Sequence, residues 1–233
     1  MVWQQLLKVE RLMKNLSLIL AVLLSLPNLV LGGEKDTIYL TETMLPLAKE
    51  FVRRIGQTNE IPTTTNQVKK YKVDYFDDRP GCMANLRLTN DCSLSFHTET
   101  NKTEVWVFRR HIRTYYGLPP DAPKEKVDAI KALNLKNKLT KDDALKLAEK
   151  YFVQIGHKPD NFHPPEITQC YWSGVPGGKL PYFEITWYRK DVDVANLAKN
   201  GNTDFKAVII EVSGIDSRLI SYTKAGMPVG SDF

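Results

Sequence analysis

The most distinctive polar cluster in the chain is a run of basic residues and tyrosines around residue 110. It contains Arg109, Arg110, His111, Arg113 and Tyr115. Guanidinium groups can bind a carboxylate or phosphate through two parallel hydrogen bonds. We therefore name this cluster as the candidate site for a ligand or partner. The alternative is that it is a basic strand end that packs against a linker, with its aliphatic stems covering apolar surface.

The sequence lacks the patterns that are typical of catalytic and metal sites. Its four histidines do not have metal-ligand spacing, and there is no CxxC pair, so we predict no metal and no cofactor. Cys170 and His163 resemble a nucleophile and its base, but Cys170 falls in a predicted strand, where a packed thiol is the simpler interpretation. A calcium loop beginning at Asp191 would need Gly at Asn196 and Glu at Asn202. We therefore expect a protein that is not an enzyme.

The element that would position the cluster is part of a repeat. Residues 45–56 read LPLAKEFVRRIG and residues 145–156 read LKLAEKYFVQIG, one hundred residues later. In each copy the apolar residues fall on one helical stripe, and the final glycine can end a helix in the left-handed conformation. Thr43 and Thr140 are the predicted N-caps, the first because Pro46 is tolerated only in a first turn.

Alternating apolar and polar residues predict four strands after each helix. The predicted strands are residues 68–76, 83–88, 92–98 and 104–109, then 166–172, 181–189, 207–212 and 218–222. The fold class is therefore predicted as α+β, with two tandem repeats, each of one helix packed on an antiparallel sheet of about four strands.

The predicted domain organisation has five parts. They are a signal peptide at residues 1–33, a first repeat at 34–117, a linker with a short helix at 118–138, a second repeat at 139–226 and a tail at 227–233. A chain of 233 residues with 42% hydrophobic and 25% charged residues can build such cores. The net charge of +5 is too small and too dispersed to predict nucleic-acid binding.

The beginning of the chain resembles a secretory signal peptide. Lys14 precedes an apolar run, residues 16–31, that ends in Gly32 and Gly33. We expect a secreted or periplasmic protein without a membrane segment after cleavage; the alternative is an uncleaved membrane anchor. Met1 and Met13 both remain possible starts. The three cysteines of an exported chain leave at least one unpaired, and we expect buried, inert thiols.

Three stretches of the second repeat resemble a known family. They are LTKDDALKLAEK at residues 139–150, EITWYR at 184–189 and the hairpin at 208–222 with a glycine in its turn. They are similar to the PepSY-type domains of exported bacterial proteins and, more loosely, to cystatin-like folds, in which a curved antiparallel sheet wraps a helix. The resemblance implies a noncatalytic module, which in some relatives restrains a peptidase.

We therefore expect an exported binding or regulatory protein whose partner is an unknown exported protein or envelope component. It would act through a sheet face or through the groove between domains. Two alternatives remain. One is a small-ligand binder or enzyme with a pocket between helix and sheet, and the other is PepSY-like restraint of an exported peptidase.

Overall fold

The computed structural model describes residues 33–61, 63–78, 80–99, 102–111, 116, 118, 121–136, 139–172, 179–191 and 206–225. The predicted signal peptide before Gly33 and the predicted tail lie outside these residues, as do Arg113 and Tyr115 of the candidate cluster. Within the ranges just given, no helix has both the length and the apolar composition needed to cross a membrane.

The first helical region is longer than the sequence pattern predicts. It runs from α1 (Glu34–Tyr39) through a π-helical turn (Leu40–Met44) into α2 (Leu45–Arg54). Thr43, the predicted N-cap, therefore lies inside helical structure. The predicted start depended on Pro46, which lacks a backbone donor and crowds the carbonyl four residues earlier. The wider π turn before Pro46 relieves that crowding, so the chain remains helical.

The later helices begin close to where the sequence predicts them. α3 (Lys124–Lys136) occupies the predicted linker, and α4 (Lys141–Ile155) is the second repeated helix. The Thr140 hydroxyl caps α4 by accepting a hydrogen bond from the Asp143 backbone N–H at 3.2 Å. Gly156 ends α4 with φ of 110°, a conformation that glycine adopts without a Cβ clash.

Eight strands lie within three residues of their predicted bounds. They are β1 (Val68–Tyr75), β2 (Gly81–Leu88), β3 (Cys92–Glu99), β4 (Lys102–Arg110), β5 (Glu166–Trp172), β6 (Leu180–Tyr188), β7 (Ala207–Ser213) and β8 (Leu219–Ala225). Along β2, buried residues alternate without a break with partly buried ones. One face of this strand therefore packs on a core, as the alternation predicts.

The predicted division into two separate helix-on-sheet repeats is wrong. All eight strands form one antiparallel sheet in the order β1-β2-β3-β4-β8-β7-β6-β5. The two halves join where β4 pairs with β8, through Val107–Thr223, Phe108–Tyr222 and Arg109–Ser221. In separate four-stranded sheets, β4 and β8 would each be an edge with one row of backbone groups unpaired. Their pairing removes both edges along these three residue pairs.

One hydrophobic core contains side chains from both halves of the sheet. Phe51 of α2 contacts Phe108 of β4, with ring centroids 5.4 Å apart, and Tyr222 of β8, at 5.7 Å. All three rings are buried, and the same core includes Phe152 of α4. Separating the halves would expose apolar surface on each, so the two repeats form one packing unit.

A smaller apolar cluster anchors α3. Leu118, Leu180 and Ile215 are fully buried in it, and Val127 and Ile130 of α3 pack against them. The predicted linker is therefore docked onto the sheet through its own small core.

Candidate functional site

An open cleft lies beside the join between the two halves of the sheet. Its volume is ≈1360 Å³, and its walls come from α2, the last part of β3, the first part of β4, the turn after α4, the residues directly after β6, and β8. This exceeds the roughly 300–1,000 Å³ of an ordinary small-molecule pocket. The cleft is therefore large enough for part of a polypeptide.

The cleft opens where β4 and β8 separate. These strands pair over three residues only, whereas β4 remains paired with β3 as far as Lys102. The register between β3 and β4 shifts between Ser95 and Phe96, which leaves Trp106 as an extra residue of β4. Such a bulge bends its strand locally. In the described part of the chain, residues 102–106 thus have a strand neighbour on one side only, and all five line the cleft.

His157 enters the cleft because of the way α4 ends. After Gly156 turns the chain, the His157 backbone N–H donates to the Phe152 carbonyl at 3.1 Å. The His157 Nε2 atom lies 3.0 Å from the Tyr222 hydroxyl. Burial lowers the pKa of His157 to about 4, and the positive charge of Lys224 acts in the same direction. Burial also raises the pKa of Tyr222, so both rings are uncharged at neutral pH.

A carboxylate with two lysines forms the charged part of the cleft. Glu104 pairs with Lys102 and with Lys224. Only 10% of the Lys224 side chain is exposed, and its Nζ atom lies 5.9 Å from the ring centroid of Trp106. Burial by itself would raise the pKa of Glu104, but the hydrogen bonds from Lys102 and Lys224 outweigh it and lower the pKa to about 2. Glu104 therefore carries a fixed negative charge near neutral pH.

The aromatic rings of Trp106 and His97 also line the cleft. The rings of Trp106 and His97 lie 4.4 Å apart, and Phe76 lies 5.7 Å from His97. The His97 Nε2 atom is 3.7 Å from the Glu99 carboxylate. Flat rings beside charged groups give a surface that accepts both apolar and polar parts of a ligand.

The charges around the cleft nearly balance. Among the residues that the structure describes, six basic and five acidic side chains line it, and several are already paired, such as Arg54 with Glu50 and Arg189 with Asp191. A nucleic acid or polyphosphate would call for a clear excess of positive charge. A cleft of mixed charge is better matched to a polypeptide.

Two aromatic rings of the cleft have pKa values far from neutral pH. General acid–base catalysis works best with a pKa near the working pH, whereas the pKa of His157 is about 4 and that of Tyr222 is raised. Among the residues that the structure describes, no group of three or more His, Cys, Asp or Glu could hold a metal ion. Cys92 is buried away from the cleft, and burial raises the pKa of its thiol to about 11.

The strand that carries Arg109 and Arg110 points them to opposite faces of the sheet. Arg109 is exposed, and so is His111. Arg110 is 5% exposed, and its guanidinium donates to the Gln57 side-chain oxygen and, at 3.0 Å, to the Glu60 carboxylate. The structure therefore does not bring the two arginines together as one binding surface.

Arg110 belongs to a network of ion pairs that connects separate parts of the fold. Glu60 also pairs with Arg218, so the network joins the loop after α2, strand β4 and the turn between β7 and β8. Arg109 lies on the other face of the sheet. Burial raises the pKa of Glu211, and the positive charge of Arg109 acts in the opposite direction. Binding of a partner by Arg109 and His111 remains a prediction.

The repeat in the sequence places a polar residue directly after each helix-ending glycine. Gln57 and His157 each follow the glycine that ends a repeated helix, and each backbone N–H donates to the carbonyl five residues earlier, at 3.0 and 3.1 Å. Both side chains then reach partners near the join, Arg110 for Gln57 and Tyr222 for His157. The two helix ends therefore share their backbone geometry, and His157 is the one of these two residues that lines the cleft.

Comparisons with protein-family models, with curated proteins and with solved structures found no match to this chain. The resemblance to PepSY-type and cystatin-like domains therefore remains a prediction.

Proposed function

We propose that the protein is a noncatalytic binding protein that holds an extended segment of a partner protein in the cleft. The observation that carries this proposal is the stretch of β4 at residues 102–106, which lines the cleft without a strand neighbour on that side among the described residues. Free backbone N–H and C=O groups on a strand edge can bind an added peptide strand through main-chain hydrogen bonds.

The side chains around this stretch supply the contacts that would select a sequence. Trp106 and Leu47 offer apolar surface, while Glu104 and Lys224 offer opposite charges at fixed positions. An extended peptide presents its side chains alternately to its two sides. A suitable segment would therefore carry an apolar residue against Trp106 and a polar residue next to the Glu104–Lys224 pair.

The proposal also bears on the rival functions. An enzyme is less well supported, because the pKa values of His157 and Glu104 lie far from neutral pH. Restraint of a peptidase is one form of the proposal, in which the bound segment belongs to an exported peptidase. The predicted signal peptide makes an exported or envelope protein the expected partner, and export itself remains a proposal.

The proposal is tested by capturing the partner and then blocking the cleft. The purified protein serves as bait for envelope and secreted proteins of the native host, captured proteins are identified by mass spectrometry, and overlapping peptides locate the bound segment. Leu47→Trp adds bulk to the cleft wall. Leu135→Trp is the matched control, because Leu135 lies on α3 outside the cleft lining and is 77% exposed.

We expect Leu47→Trp to weaken binding of the captured segment about tenfold or more, equivalent to at least ~1.4 kcal/mol. Leu135→Trp should leave the dissociation constant unchanged. Equal binding by both variants would rule out the cleft as the site. Capture of no protein, together with a small molecule that co-purifies, would favour the small-ligand alternative.

A further inference from the structure

The sheet ends in two edge strands, and only one of them is protected against association. At one end, β1 carries Lys69, Lys70 and Lys72, and a bulge interrupts its register between Val68 and Lys70. Lysines and bulges are the devices that keep an edge strand from pairing with another chain. At the other end, β5 pairs with β6 in unbroken register along all seven residues, and Glu166 is its one charged residue.

Among the described strands, the outer side of β5 has no backbone partner, and an aromatic side chain and two uncharged polar ones on this strand are exposed. Tyr171 is 52% exposed, which is unusual for a large aromatic residue, and Thr168 and Gln169 are exposed as well. A strand edge with a single charged residue, next to an exposed ring, is a surface that association with another strand would stabilise.

We propose that β5 pairs antiparallel with β5 of a second copy of this chain, so that two sheets become one continuous sheet across a two-fold axis. A second copy is the occupant that fits, because two-fold pairing requires a self-complementary strand. An axis through Gln169, the middle residue, pairs all seven positions. Ile167 then lies opposite Tyr171 of the second copy, a favourable combination of a β-branched and an aromatic side chain.

The same register is also favourable for charge. Glu166 lies opposite Trp172 of the second copy, so no two like charges meet across the axis. The strand order separates β5 from β4 by β6, β7 and β8. No residue of β5 lines the cleft, so pairing at this edge uses other residues than binding in the cleft, and the inference does not depend on the proposed function.

The test measures molar mass by light scattering as the protein is diluted from high to low micromolar concentration. Gln169→Lys places two lysines directly opposite each other on the axis, and Thr168→Lys places one charge per strand beside it. Thr65→Lys is the matched control, because Thr65 is exposed and precedes β1 at the far edge. Circular dichroism checks that each variant is folded.

We expect a wild-type dimer, a dissociation constant raised about tenfold or more by Thr168→Lys and further by Gln169→Lys, and no change with Thr65→Lys. A monomer at every concentration would overturn the proposal, as would a dimer that resists both edge variants or responds equally to Thr65→Lys. Amide hydrogen exchange of the wild-type protein measures protection of the β5 backbone and needs no variant. Exchange in β5 that does not slow as concentration rises would also overturn the proposal.

Discussion

At the scale of single residues, the face of the strand determines what a side chain can do. Arg109 and Arg110 are neighbours of the same type, yet one is exposed while the other is buried with Gln57 and Glu60. The sequence predicts the alternation of faces along β4. It does not predict that the inward-pointing side chain of Arg110 pairs with Glu60, which lies 50 residues earlier in the chain.

Arg110→Ala will therefore destabilise the protein by about 2–4 kcal/mol, because it leaves the buried Gln57 side chain without its partner and removes half of the Glu60 ion pairs. Urea unfolding followed by circular dichroism measures the change. Arg109→Ala is the control, with an expected effect below about 0.5 kcal/mol because Arg109 is exposed. Equal losses in the two variants would contradict the assignment of roles.

His157 makes stability depend on pH. Its pKa is lowered from 6.5 in the unfolded chain to about 4 in the folded protein. Between these values the unfolded state binds the proton more readily, so stability falls as pH decreases from 6.5 towards 4. We expect a loss of about 2–3 kcal/mol from this group, which His157→Gln removes.

Denaturant unfolding at pH 7 and at pH 4.5 measures this loss, and the difference between wild type and variant isolates the imidazole from the carboxylates. His163→Gln is the control, because His163 is exposed and does not line the cleft. An unchanged pH dependence in His157→Gln would show that the histidine does not contribute.

At the scale of elements, the two repeated helices end alike and begin differently. Gly56 and Gly156 both have positive φ, and the same pair of backbone hydrogen bonds closes each helix. The beginnings differ because only α4 has a side-chain cap, at Thr140, whereas Thr43 lies within the π turn that continues into α2. The ends of both helices are predicted correctly from the sequence, because a glycine ends a helix through its own backbone conformation. The predicted start of the first helix at Thr43 is wrong.

Thr140→Ala will lower stability by about 1 kcal/mol, because the Asp143 backbone N–H loses the hydroxyl that it donates to. Thr43→Ala is the matched control. Thr43 was predicted to be a cap but lies inside the helix, so it has no cap to lose, and we expect a change below about 0.5 kcal/mol. Thermal unfolding compares the two variants, and a larger effect of Thr43→Ala would contradict this description of the helix start.

At the scale of the whole molecule, the shared sheet and the shared core predict a single cooperative unfolding transition. Leu86→Ala in β2 and Leu219→Ala in β8 each remove a fully buried side chain from opposite halves. Each should lower stability by about 2–5 kcal/mol and move the whole transition. Separate repeats would instead give two transitions, of which each variant moves only one.

Calorimetry and circular dichroism together provide the measurement. The calorimetric and van't Hoff enthalpies should agree in the wild type and in both variants, because the halves unfold together. A calorimetric enthalpy well above the van't Hoff value would indicate that the halves unfold independently, despite the ring contacts of Phe51 with Phe108 and Tyr222.

Local structure could be predicted from the sequence: eight strands within three residues of their bounds, the α4 cap at Thr140 and the glycines that end α2 and α4. These features depend on backbone conformation and on the alternation of apolar residues, which act over a few neighbouring positions. The folded chain was needed to show that β4 pairs with β8 and that Glu104 pairs with Lys224, 120 residues away. No local sequence pattern indicates which distant strand or charged residue will be the partner. Every free strand edge offers the same backbone donors and acceptors.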